Sequence, residues 1–164
     1  MKKFIILAIV FASSCLAQAQ STVSALTIES LTNPIGIDLT NPRFSWKLSS
    51  DKRNTVQTAY EIRLAADAAL LGKKTLWNSG KVSSDQSIYV PYSGPALESG
   101  KKYFWQVRVW DNSGKVGAWS EPAFWQMALL KDSDWKARWI QHQDSIIDAN
   151  PYLRKSFSIS KKIA

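Results

Sequence analysis

The pattern of the chain is that of an all-β sandwich, on three grounds. Residues 103–110 alternate strictly, with Tyr103, Trp105, Val107 and Val109 on one face and Phe104, Gln106, Arg108 and Trp110 on the other. That period of two is what a half-buried strand requires, because successive side chains leave opposite faces of the pleat. Second, short β-branched and aromatic segments recur along the chain, divided by Gly, Pro, Asn, Asp and Ser, which is the spacing of a sandwich rather than of a helical or α/β fold. Third, the one stretch of helix formers, residues 67–74, is too short to be stable by itself; a turn or single coil is expected there.

The elements follow in order. Ala25-Leu26-Thr27-Ile28-Glu29 is the first strand, ended by Asn33-Pro34, and residues 38–42 are a loop of turn formers. Arg43-Phe44-Ser45-Trp46-Lys47-Leu48 places Phe44, Trp46 and Leu48 inward. Ala59-Tyr60-Glu61-Ile62-Arg63-Leu64 does the same with Tyr60, Ile62 and Leu64. Leu76-Trp77-Asn78-Ser79-Gly80 is a short edge strand, and residues 88–91 form the next, its Pro91 suited to an edge or a strand end. Strand 103–110 follows the corner Leu97-Glu98-Ser99-Gly100, turns at Asp111-Asn112-Ser113-Gly114, and leads through Trp119-Ser120-Glu121-Pro122 to a seventh strand over 123–129. Leu97-x-x-Gly100-x-x-Tyr103 resembles the tyrosine corner of immunoglobulin and fibronectin type III sandwiches. Trp119-Ser120 resembles the Trp-Ser element of cytokine-receptor fibronectin domains, with Arg108 as the cation expected to stack on Trp119.

The ends of the chain read differently. Lys2 and Lys3, the apolar residues 4–12 and Ala17-Gln18-Ala19 make a secretory leader cleaved after Ala19. Its apolar run is about nine residues, against the ~20 of a spanning helix, so no transmembrane segment is expected. Cys15 in Ala12-Ser13-Ser14-Cys15 is the alternative, as the acylated residue of an outer-membrane lipoprotein, though the Leu usual three residues before the Cys is missing. Cys15 is also the only cysteine, so disulfides, a thiol nucleophile and Cys-based metal sites are excluded. The eight Trp, five Tyr and six Phe must supply the core instead. Past residues 131–134, a polar linker, Trp135-Lys136-Ala137-Arg138-Trp139-Ile140 and Tyr152-Leu153-Arg154-Lys155-Ser156-Phe157-Ser158-Ile159 read as strands of a second β domain that the chain begins and does not finish. The division expected is therefore a leader over 1–19, a sandwich over 20–130, a linker over 131–134 and a truncated second β-sandwich over 135–164.

The formal charge is +8, and +6 once Lys2 and Lys3 have left with the leader. No basic run exceeds two residues, whereas nucleic-acid binding needs a clustered stripe; the excess reads as solvated surface. Glu98, Asp111 and Glu121 each fall at a strand end or turn, where acids are ordinary solvated or capping residues. His142 is the only histidine, which leaves neither a His metal cluster nor a Ser-His-Asp triad. No catalytic, cofactor-binding or metal-binding residue is assigned. Trp110 and Trp125 are read as outward-facing and are the candidates for stacking on a sugar or on a neighbouring domain.

Several stretches together resemble the N-terminal end of bacterial α-L-rhamnosidases: Asn33-Pro34-Ile35-Gly36-Ile37-Asp38, Pro42-Arg43-Phe44-Ser45-Trp46, Gln57-Thr58-Ala59-Tyr60-Glu61-Ile62, Leu76-Trp77-Asn78-Ser79-Gly80-Lys81-Val82, residues 103–111, Trp119-Ser120, Trp135-x-x-x-Trp139-Ile140 and residues 152–157. The resemblance implies a parent with a fibronectin-like domain, a carbohydrate-binding type β-sandwich, an (α/α)₆ barrel and a C-terminal β domain. Such a parent would remove terminal L-rhamnose with inversion, using two barrel carboxylates. The chain is then expected to be an accessory fragment that braces or orients the barrel, inactive alone. Its partners would be the parent's remaining domains and, through them, rhamnose-containing glycans. A free-standing fibronectin-like adhesion or carbohydrate-binding module is the other class that fits.

Overall fold

The computed structural model describes residues 21–138, 154–156 and 158. Backbone contacts divide the chain into two units, Met1–Asp134 and Trp135–Ala164. The leader, Cys15 and His142 fall outside the described residues, as do parts of the strands expected over 135–140 and 152–159. Described residues of the second unit carry no strand or helix, and Trp135 is exposed.

The described residues of the first unit are built from β-strands. Its strands are β1 (Thr22–Ile28), β2 (Ile35–Ile37), β3 (Arg43–Ser49), β4 (Gln57–Ala65), β5 (Trp77–Asn78), β6 (Val90–Pro91), β7 (Lys102–Asp111) and β8 (Ala123–Met127). They form a three-stranded sheet, β1-β3-β6, and a five-stranded sheet, β2-β8-β7-β4-β5. The alternation read in β3, β4 and β7 holds: Phe44, Trp46, Tyr60, Ile62, Leu64, Tyr103, Trp105, Val107 and Val109 are all buried in one cluster drawn from both sheets. Residues 67–74 hold only a single 3₁₀ turn, Ala68–Leu70, capped by the Asp67 carboxylate, which accepts from the Ala69 N–H at 2.8 Å.

The core is aromatic and centred on Phe44. Its ring lies 4.6 Å from that of Trp105, 5.8 Å from Trp125 and 6.3 Å from Tyr92, offset or edge-on arrangements that suit the ring quadrupoles. Trp46 Nε1 donates to Gln57 Oε1 at 2.9 Å, and Gln57 Nε2 donates to the carbonyls of Ser84 and Gln86, so this buried pair is satisfied. Trp105 Nε1 is buried without a partner.

One strand was not legible. β2 runs parallel to β8, pairing Ile35 with Gln126 and Ile37 with Met127. Three residues interrupted by Gly36 at φ +87 carry no alternation to detect. The pairing covers the free edge of β8, which would otherwise present unpaired backbone groups. The chain reaches it through a two-residue turn, Glu29-Ser30, with both φ values positive (49 and 64) and reciprocal backbone bonds between Ile28 and Leu31.

Candidate functional site

β4 and β7 send their second set of side chains to the outer face of the five-stranded sheet. There Glu61 stands opposite Arg108, and Arg63 opposite Gln106. Trp119 reaches the same face because its segment continues the ladder along β7: Gly117 N–H donates to Val109 O at 2.8 Å and Ser120 N–H to Val107 O at 2.9 Å. The guanidinium carbons of Arg63 and Arg108 lie 4.0 and 4.7 Å from the Trp119 ring centroid. Arg108 also lies 5.2 Å from the Trp110 ring, which Lys81 approaches at 4.8 Å. The result is an alternating series, Arg63–Trp119–Arg108–Trp110–Lys81.

Its polar groups are met within the face. Arg108 pairs with Glu61 at 2.6 Å, and Asn78 Nδ2 donates to the other Glu61 oxygen at 2.9 Å. Arg63 donates twice to Gln106 Oε1, at 3.0 and 2.6 Å, while Gln106 Nε2 donates to Ser120 O. Burial pushes the Arg63 guanidinium down from its ordinary value, Arg108 adds to this, and Glu61 opposes it. Gly72, at φ +80, packs so closely on Arg63 that a Cβ would lie 2.5 Å from Nη1. These groups grip one another.

Arg108 stacks on Trp119 as expected, but Arg63 lies closer. Its signal was its outward parity in β4; what hid it was the distance in sequence to Trp119. Trp110 is half-buried on the outer face, as read. Trp125 is a correction: it is fully buried, beside Phe44 and Tyr103, with Nε1 donating to Met127 Sδ at 3.1 Å. β8 alternates Ala123, Trp125 and Met127 inward, with Phe124 and Gln126 on the other face. Two adjacent aromatics make the parity ambiguous; polar Gln126 was the clue that Phe124, not Trp125, lies outward.

The three acids sit apart. Glu98 pairs with Lys101 at 2.5 Å on the surface. The Asp111 carboxyl is held below its ordinary value, chiefly by the Ser113 hydroxyl, with Ser21 also donating to it at 3.0 Å. Glu121 is exposed. Among the described residues no group of three or more His, Cys, Asp or Glu side chains is arranged for a metal ion. No helix among them is long and apolar enough to cross a membrane, a statement that does not bear on β-barrels.

The corner Leu97-Glu98-Ser99-Gly100 has two functions. Tyr103 Oη accepts from Glu98 N–H at 2.9 Å, which is the tyrosine-corner bond. Ser99 Oγ accepts from Leu130 N–H at 3.0 Å and donates to the Asp134 carboxylate. The stretch read as a polar linker over 131–134 is therefore tied to the corner by a polar bond at Asp134 and by Leu130 just before it, around a 3₁₀ turn at Asp132–Asp134.

With this geometry in view, comparison with known proteins decides the family. Residues 23–131 match the family described as "Rha78A-like, N-terminal immunoglobulin domain". The chain belongs to that family. An α-L-rhamnosidase of Streptomyces avermitilis is 41% identical over 127 residues, covering 77% of this chain and 12% of the relative. One from Alteromonas sp. is 35% identical over 175 residues, covering 98% and 19%. The solved S. avermitilis enzyme, crystallised with L-rhamnose, superposes with a TM-score of 0.72 at 42% identity over 74% of this chain and 12% of that one. The Dictyoglumus thermophilum enzyme gives 0.72 at 34% identity over 75% and 14%. The chain thus spans between about an eighth and a fifth of the length of these curated relatives. It corresponds to the N-terminal region of large, multi-domain rhamnosidases.

Proposed function

We propose that the chain is the N-terminal accessory portion of a secreted glycoside hydrolase of the α-L-rhamnosidase kind, and that it braces or orients the catalytic barrel of its parent. The parent would hydrolyse terminal L-rhamnose with inversion, through two carboxylates set far enough apart to admit a water. The observation that carries the reading is the Ser99 clamp. By bonding Leu130 and Asp134 to the tyrosine corner, it fixes the direction in which the backbone leaves the sandwich, and a spacer that orients a neighbour needs a fixed exit. The outer ladder supports the same role, since Arg108 pairs with Glu61 and Arg63 bonds Gln106 within the face. Glu98 and Glu121 lie on the surface, and Asp111 lies in a turn that holds its carboxyl below the ordinary value, the opposite of a buried general acid.

The test is an exchange. Deleting the matching N-terminal region from the S. avermitilis relative should lower its melting temperature and its kcat/KM on an aryl α-L-rhamnoside. Grafting residues 23–134 of this chain in its place should restore both, and Ser99→Ala in the graft should undo part of that restoration. The present chain alone should give no turnover above the buffer blank. A deletion without effect on either property would overturn the bracing role. Turnover by the chain alone that vanished in Glu98→Gln, Asp111→Asn or Glu121→Gln would overturn the non-catalytic one.

A further inference from the structure

The three-stranded sheet carries a different kind of aromatic. Tyr89 immediately precedes β6, is 43% exposed, and sits at φ +54, a left-handed conformation that a bulky side chain adopts only when its surroundings force it. Four contacts hold it. Its N–H donates to Ser45 Oγ at 2.9 Å, its hydroxyl is 2.9 Å from Ser30 Oγ, the Arg43 guanidinium lies 4.4 Å from the ring centroid, and Gln86 Nε2 reaches its carbonyl at 3.4 Å. Arg43 is itself fixed by Glu29 through a bidentate pair, the shorter contact 2.5 Å.

Strain gathers here. Of the six non-glycine residues with positive φ among those described, Glu29, Ser30 and Tyr89 form this constellation, and Ala25 lies in the bulge of β1 across from β3. Beside Tyr89 the outer face of β1 and β3 is hollowed into an open trough of about 500 Å³. It is lined by the short side chains of Ala25, Thr27, Ser45 and Ser87, by Lys47, and by the larger Trp46, Leu48 and Ile88, the last 62% exposed. Ser45 joins the two features, lining the trough while its hydroxyl holds the Tyr89 backbone.

An exposed ring beside hydroxyls, one ammonium and several apolar side chains matches the two kinds of surface on a pyranoside. The C–H face of the sugar stacks on the ring, and its hydroxyls meet short polar side chains. A protein partner would need a buried anchor and a larger, less polar patch. The ladder on the opposite sheet lacks this character, since two cations pack on each of its rings, Arg63 and Arg108 on Trp119 and Lys81 and Arg108 on Trp110, against the single Arg43 contact on Tyr89. We propose that Tyr89 is the stacking platform of a saccharide-binding site that takes a single pyranoside residue, with Ser45, Thr27, Ser87 and Lys47 meeting its hydroxyls. The glycosidase reading above supplies only the choice of first probe.

The whole chain is titrated with methyl α-L-rhamnopyranoside and, separately, methyl α-D-glucopyranoside, following backbone amide shifts. The expected result is saturable shifts centred on Ser45, Tyr89 and Val90 with at least one probe. Tyr89→Phe should keep affinity within about threefold, and Tyr89→Gly, which accepts the left-handed backbone, should lose about tenfold or more. Lys47→Ala, at an exposed position, should weaken binding severalfold, and Trp110→Ala should leave it unchanged. No saturable shift at these amides with either probe, or equal affinity in Tyr89→Gly, would overturn the site. Binding of the glucoside alone would support the platform and count against the rhamnose-directed parent. Failure of the domain exchange would leave this measurement untouched.

Discussion

The outer faces of the two sheets solve the same problem in opposite ways. Each presents aromatics that the core did not take. On the five-stranded sheet, Arg63, Arg108 and Lys81 pack on Trp119 and Trp110, and the charges are answered by Glu61 and Gln106. On the three-stranded sheet, one Tyr is held by a strained backbone and left 43% exposed. The two faces therefore suit different roles. A ladder that consumes its own donors and rings stiffens the sheet, whereas strain kept beside an exposed ring is sustained by surrounding structure and leaves a surface free for contact.

Both faces depend on the core between them, so the largest effect should come from emptying it. Trp105 is fully buried against Phe44, and Trp105→Ala should cost roughly 3–5 kcal/mol in urea unfolding. Trp105→Phe should cost clearly less, because it also removes the buried indole N–H that has no partner. A midpoint that hardly moves in Trp105→Ala would mean that the two outer faces do not share this core.

The comparison itself is tested by removing one ring from each face. Trp119→Ala takes away two cation–π contacts and leaves two guanidiniums less well packed, a loss of about 1–3 kcal/mol. Tyr89→Gly should be near neutral or stabilising, because relief of the left-handed strain, on the order of 1–3 kcal/mol, offsets the lost contacts. Equal destabilisation by the two changes would erase the distinction between a bracing face and a free one.

A smaller effect concerns acid. Glu29, the partner of the Arg43 that packs on Tyr89, has its carboxyl held below the ordinary value, chiefly by its hydrogen bond from Arg43. A depressed carboxyl contributes stability that is complete above the ordinary carboxylate range and is lost as pH falls through the folded value, here below about pH 4. Denaturant midpoints should therefore decline more shallowly in Glu29→Gln than in the parent chain over that acid window. Parallel curves would show that the Glu29–Arg43 pair adds nothing to folding.

Much of this was legible in the sequence, and unevenly so. Strict alternation assigned the inward side chains of β3, β4 and β7 correctly, and Leu97-x-x-Gly100-x-x-Tyr103 announced the corner that the Glu98–Tyr103 bond completes. Arg108 was found as a partner of Trp119 because both lie in one short block; Arg63, more than fifty residues away, was not. Trp125 was placed outward because Phe124 and Trp125 are adjacent and only Gln126 breaks the tie. Tyr89 gave no signal, since nothing in Ser87-Ile88-Tyr89-Val90 asks for a positive φ.

By itself the sequence determined which faces of the long strands turn inward, because the pleat makes side-chain direction a matter of local parity and burial then follows from polarity. Only the tertiary structure decided what meets across strands and sheets: β2 lying parallel on β8, Trp125 entering the core, Arg63 joining Trp119, and Tyr89 held left-handed by Ser45, Ser30 and Arg43. Those outcomes depend on groups brought together from distant parts of the chain, and no local period encodes such encounters.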